Sequence, residues 1–171
     1  MEAFTVPAPA LTATTMLDVA EATRSSLEAL QACLDGCPDY FARIEGMPAE
    51  PDAAARLLDE AEADPLRRLY LFSLRRGGVP AVLLDLWLDQ PEPGTAHLGL
   101  LLVREALQGQ GLGREAMAAL EAALARAGSR VLRLSVTDEN REVEGFWARL
   151  GFAPVGRLDG GVTVYEKPLG G

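Results

Sequence analysis

Seven consecutive residues, Gln108, Gly109, Gln110, Gly111, Leu112, Gly113 and Arg114, carry the most legible chemistry in this chain. They stand between an apolar run at 98–103 and a long amphipathic segment at 112–127, so the order is strand, glycine loop, helix. Glycines where a helix begins let the backbone approach a ligand closely, and the unpaired N–H groups of the first turn point at whatever sits there. Such a turn suits a phosphate. Three phosphate-loop patterns compete. A Walker loop ends in Gly-Lys-Ser/Thr, and no Lys follows any of these glycines. Gly111-x-Gly113-x-x-Ala116 fits the dinucleotide turn of a Rossmann fold, but the chain beyond it holds one strand, one helix and a hairpin, too little for a doubly wound sheet. The third pattern, Gln-x-x-Gly-x-Gly, is met by Gln108, Gly111 and Gly113.

Other residues offer acid–base and binding chemistry. His97 is the sole histidine and lies on the strand before the loop; imidazole titrates near neutrality and can accept a proton at working pH. Glu105, just after that strand, is the next candidate base. Asp85 and Trp87 lie two apart on a strand and share a face, so Asp85 can hold a cationic acceptor under an indole wall, or be a solvated edge residue. Cys33 and Cys37, four apart, read as reduced thiols on one side of a helix. With one histidine in the protein, a four-ligand metal site is hard to assemble, and none is expected.

On the Gln108, Gly111, Gly113 pattern the chain resembles the GCN5-related N-acetyltransferases (GNAT), whose pyrophosphate loop reads Gln/Arg-x-x-Gly-x-Gly/Ala. The resemblance continues through Asn140-x-x-Val143-x-x-Phe146-Trp147-x-x-x-Gly151-Phe152, similar to the family's Asn-x-x-Ala-x-x-Phe-Tyr-x-x-x-Gly-Phe. It covers residues 96–152 well and the first half loosely. It implies transfer of an acetyl group from acetyl-CoA to a primary amine of a small molecule or peptide, with a non-catalytic coenzyme A-binding sensor or scaffold as the alternative. Carried over by motif, Gly109, Gln110, Gly111, Leu112, Gly113 and Arg114 cradle the pyrophosphate beside Gln108. Leu101, Leu102 and Val103 offer backbone to the pantetheine, which Asn140 contacts unless it serves only as a helix cap. Phe146 and Trp147 line the thioester pocket. His97 falls where some members place a general-base glutamate, and Tyr40 lies in the segment that forms part of the acceptor cleft. The sequence departs from the family at Trp147, which replaces the tyrosine that protonates the leaving thiolate; an indole N–H donates a hydrogen bond but supplies no proton at neutral pH.

The elements that must position these residues follow from pattern. The implied fold is α/β: one domain over residues 1–171 with a mixed, mostly antiparallel sheet flanked by helices and a splayed strand before the glycine loop. Expected strands are Phe4-Thr5-Val6, 69–75, 79–88, 96–103 and 131–136, with a final hairpin of 152–158 and 162–167. Expected helices are one capped within Thr12 to Thr15 and carrying Leu17, Leu27, Leu30 and Leu34, then 53–63, 112–127 and one bearing Val143, Phe146, Trp147 and Leu150. Residues 39–41 open a mixed segment. A net charge of −9 without a basic cluster disfavours nucleic acid and suits an amine acceptor. The lack of a long apolar run disfavours a membrane span, and a start at Met1-Glu2-Ala3-Phe4 without a secretion-type flank leads to the expectation of a cytoplasmic protein. An exposed edge on the last hairpin invites pairing with a second copy, a homodimer.

Overall fold

The computed structural model describes residues 9–170, so the strand expected at Phe4-Thr5-Val6 lies outside the described residues. Seven strands form one sheet in the order β1-β2-β3-β4-β5-β7-β6. They are β1 Leu17–Glu21, β2 Arg67–Leu74, β3 Pro80–Trp87, β4 Thr95–Val103, β5 Val131–Thr137, β6 Ala153–Leu158 and β7 Val162–Pro168. Every neighbouring pair is antiparallel except β4 with β5. That single parallel pair is joined by the crossover helix α4, Leu112–Ala127, which buries Leu112, Ala116, Met117, Leu120, Ala123 and Leu124. Alternation along the strands sends Ala96, Leu98, Leu132, Leu134 and Val136 into the same core. Gly128, at φ +99°, ends α4 in the left-handed conformation that glycine adopts without strain.

The opposite face is covered over β2 and β3 by α1, Leu27–Asp35, and α3, Ala53–Ala63, with Leu30, Leu34 and Leu58 packed on Leu69, Leu83 and Leu102. A short helix, α2, Pro38–Ile44, leans toward the three-residue-per-turn segment Asp138–Val143 that precedes α5, Glu144–Arg149. On this face of β5, Arg133 and Thr137 are half-buried and Ser135 is exposed.

Four expectations are corrected. Leu17 belongs to a strand: it pairs with Leu74 and is fully buried, and Leu-Asp-Val-Ala-Glu alternates at the edge of β2. The first helix starts later, after a short turn in which Ser26 Oγ accepts the Thr23 N–H. The mixed segment at 39–41 is helical, because Pro38 supplies a preset φ at the first helical position. Cys33 and Cys37 therefore lie on different elements, α1 and the cap of α2, and burial pushes their thiols up to about 12 and about 11. In the final hairpin the second strand, β7, is the inner one, leaving β6 as an edge whose six residues are all exposed.

Asp85 also departs from expectation. It is 4% exposed, and its two oxygens accept Arg67 Nε at 2.9 Å and Nη2 at 2.7 Å. Burial pushes the carboxyl up and the guanidinium pulls it back; two charge-assisted bonds keep the pair ionised. The cation that Asp85 holds is thus Arg67 of the neighbouring strand, and the carboxylate serves as a clamp between β2 and β3. Arg67→Met, which strands a buried charge, is expected to cost about 3–5 kcal/mol in urea denaturation. The double variant Arg67→Met, Asp85→Leu should recover most of that loss; no recovery would show that the pair is not what the strands depend on.

Candidate active site

The glycine loop folds as the sequence leads one to expect. Gly109 and Gly111 both take φ +81°, a conformation other residues adopt only with strain, and Gly111 caps α4. Glu115 is the first residue of α4 to bond back, its N–H donating to the Gly111 carbonyl at 3.1 Å. The N–H groups ahead of it at the end of a 16-residue helix are left aimed at the cavity in front of the loop. Arg114 lines that cavity, and so does Arg149 from α5; among the described residues neither is ion-paired. Gln108 stands at the mouth of the loop, where its Nε2 donates to the Val103 carbonyl at 3.0 Å and ties the loop to the end of β4.

From the loop a channel runs between β4 and β5. Their pairing covers only Thr95 to Leu98 against Val131 to Leu134. Beyond it β4 continues against β3 and β5 against β7, so the two strands part. The gap is lined by Leu101, Ser135, Thr137, Asn140, Phe146 and Trp147, among others. Leu101, Leu102 and Val103 pair on one side only, with Leu84, Leu83 and Val82 of β3. Trp147 is 7% exposed and held edge-on between Phe146 at 4.9 Å and Phe152 at 5.4 Å, a rigid wall of the gap. Tyr40 reaches the gap from α2, and burial raises its phenol above its ordinary pKa. Asn140 lines the gap as well, but its Oδ1 accepts Arg43 Nη2 at 3.1 Å, and Arg43 also pairs with Glu142. This bridge carries α2 across the parted strands.

At the point of parting, β4 carries one residue too many: Asp85 opposes Leu100 and Leu86 opposes Leu98, so Gly99 is bulged. The Trp87 ring lies on that glycine, where a Cβ would come within 2.2 Å of the indole Cζ3. Arg67 stacks on the same ring at 4.3 Å, and the indole N–H donates to Asp64 Oδ2 at 3.0 Å. Trp87 is thereby fixed from three sides. Beside it opens a second groove of about 470 Å³ that contains His97 and shares Ser135 with the gap. Burial, then the nearby charge of Arg133, lowers the pKa of His97 below the ordinary 6.5. Glu105 does not reach this groove; its Oε1 accepts the Asp39 N–H in the first turn of α2 at 2.6 Å.

Residues 30–152 match the Acetyltransferase (GNAT) family. The chain belongs to that family. Its fold is that of a solved acetyltransferase from Thermus thermophilus, to which it is 37% identical with a TM-score of 0.82, over 90% of this chain and 97% of that one. A probable GNAT-family acetyltransferase from Chromobacterium violaceum gives a TM-score of 0.80 at 17% identity, over 94% and 87%. The PaiA N-acetyltransferase of Thermoplasma acidophilum, solved in complex with coenzyme A, gives 0.70 at 17%, over 89% and 98%. This GNAT protein is therefore an acyltransferase. No helix among the described residues is long and apolar enough to cross a membrane, and no cluster of three metal-ligating side chains occurs among them.

Several contributors stand outside the sequence motifs. Gly99 inside an apolar strand is itself a signal for a bulge or a close approach. Arg149 and Ser135 sit on segments correctly assigned, but no spacing rule told which ligand face they would join. Gly99→Ala in this GNAT chain forces the Trp87 indole or β4 to move. The expected result is a loss of about 1–3 kcal/mol on denaturation with a shift in tryptophan emission; unchanged stability and emission would mean the ring does not depend on that seat.

Proposed function

We propose that the protein is an N-acetyltransferase that passes the acetyl group of acetyl-CoA directly to a primary amine bound beside Trp87 and His97. The observation that carries this reading is continuity: glycine loop, parted strands and His97 groove form one path, joined at Leu101 and Ser135. The donor fits the residues present. N–H groups of the 109–114 loop and the positive end of α4 suit a diphosphate, and Arg114 and Arg149 bring two cations without an ion-pair partner among the described residues to a chain of net charge −9. The one-sided backbone of Leu101, Leu102 and Val103 suits an extended amide arm, with Asn140, Phe146 and Trp147 along its course.

When bound, the donor supplies an acetyl thioester, whose thiol has a pKa of only about 8.5 and so leaves tolerably as thiolate. His97, neutral at pH 7, takes a proton from the incoming ammonium, directly or through a water near Ser135. The amine lone pair then forms the new C–N bond as the C–S bond breaks. Water protonates the thiolate, since Trp147 has no acidic proton to give. The second proton of the amine leaves to solvent. Trp87 and Tyr40 wall the two sides of the reacting centre.

Calorimetric titration with acetyl-CoA tests the donor half. Binding is expected in the wild type and should weaken by at least about tenfold in Gly111→Glu, which sets a carboxylate against the phosphates. Lack of wild-type binding would overturn the reading. For the base, the sign follows from depression of the His97 pKa: the neutral, active form prevails above that pKa and is lost on acidification. The acid limb of kcat/KM is therefore expected below pH 6.5. His97→Gln should remove the limb and slow turnover roughly 10²-fold or more, and an unchanged profile would exclude His97.

A further inference from the structure

The groove beside His97 also tells what kind of amine it takes. A net charge of −9 suggests a polycationic acceptor, yet several carboxylates around the groove are already engaged. Glu166 accepts Arg133 through Nε at 2.8 Å and through Nη2. Asp64 accepts the Trp87 indole N–H, Glu60 and Asp85 hold Arg67, and Asp89 accepts the Gly94 N–H at 2.8 Å. No carboxylate is among the described residues that line the groove, whose one full charge is the cation Arg133. Directly opposite residues across the sheet, Trp87, His97, Arg133 and Glu166, form one row on one face, so Arg133 stands between His97 and the only acid in the row. Gln90 and Ser135 add uncharged polar groups, and the rest of the lining is apolar: Trp87, Pro91, Leu158 and Val164. A second ammonium in this groove would meet Arg133 and lose water without gaining a counter-charge. A hydrocarbon or aromatic body would bury apolar surface at about 25 cal/mol per Å².

Resting on the acetyltransferase reading, we infer that the acceptor is a monoamine with an apolar or aromatic body, and that Arg133, by masking Glu166, excludes diamines and polyamines. A pair of nearly equal length and shape tests it: n-heptylamine and 1,6-diaminohexane differ by replacement of a methyl group with an ammonium. Dissociation constants of both are measured for the full chain saturated with coenzyme A, and thiol release is measured with acetyl-CoA. Heptylamine is expected to bind at least about tenfold more tightly, equivalent to about 1.4 kcal/mol, with kcat/KM in the same order. Arg133→Gln, which exposes Glu166 to the groove, is expected to narrow or reverse that ratio without changing coenzyme A affinity. Equal or tighter binding of the diamine to wild type, or failure of heptylamine to bind while coenzyme A binds normally, would overturn the inference and leave the donor site standing. A ratio unmoved by Arg133→Gln would overturn the masking role. Loss of coenzyme A binding itself would instead count against the acetyltransferase reading.

Discussion

The structure depends on the parting of β4 from β5. A pair of parallel strands inside a sheet normally satisfies each other's backbone groups along their whole length, and leaving such groups unpaired in a protein interior is costly. Here pairing stops at Leu98 and Leu134, while β3 and β7 still satisfy the outer sides of the two strands. The sheet survives because only the inner sides are open. Those open sides create a slot whose walls offer N–H and C=O groups to a ligand. The bulge at Gly99 sits where the strands diverge, and an extra residue there adds local twist that turns β4 away from its neighbour.

Other elements serve that slot. The crossover α4 brings its N-terminus to one end, α5 supplies Phe146, Trp147 and Arg149 along one wall, and α2 spans the opening through Arg43. The Arg67–Asp85 clamp and the Asp64 hydrogen bond hold Trp87 against the bulge, so a buried ion pair on β2 and β3 fixes the shape of a groove on β4. Buried charge is poor evidence of stability in itself, but its geometric specificity suits this use.

Charge is distributed in the same spirit. The chain is acidic, yet many of its acids are engaged in pairing, capping and clamping, so the net charge says little about either ligand. At the glycine loop Arg114 and Arg149 have no ion-pair partner among the described residues. In the His97 groove no carboxylate is among the described lining residues. Formal charge fixes only a sum; the fields that select ligands come from which charges remain uncompensated at which surface.

Much was legible in the residues. The run 112–127 carries helical periodicity bounded by glycines, and its helix spans just those residues; 53–63 does likewise, because local periodicity and local stop signals decide where a helix lies. The Gln108, Gly111 and Gly113 spacing together with the Asn140 to Phe152 motif pointed to the family, since loop geometry at a helix N-terminus is a short-range property. Leu17 reads as helical in sequence because a five-residue edge strand has almost no local signature apart from its pairing partner, Leu74. Asp85 reads either as a ligand for a cation or as a solvated edge residue, because nothing in sequence shows that Arg67, eighteen positions earlier, lies within reach on the neighbouring strand. The sequence by itself determined the helices at 53–63 and 112–127, the glycine turn that opens the second of them and the family, all of which rest on contacts between near neighbours in the chain. Only the tertiary structure decided where β4 and β5 separate, which charges stay free and which residues share the His97 groove, because these depend on register and packing between segments far apart in sequence.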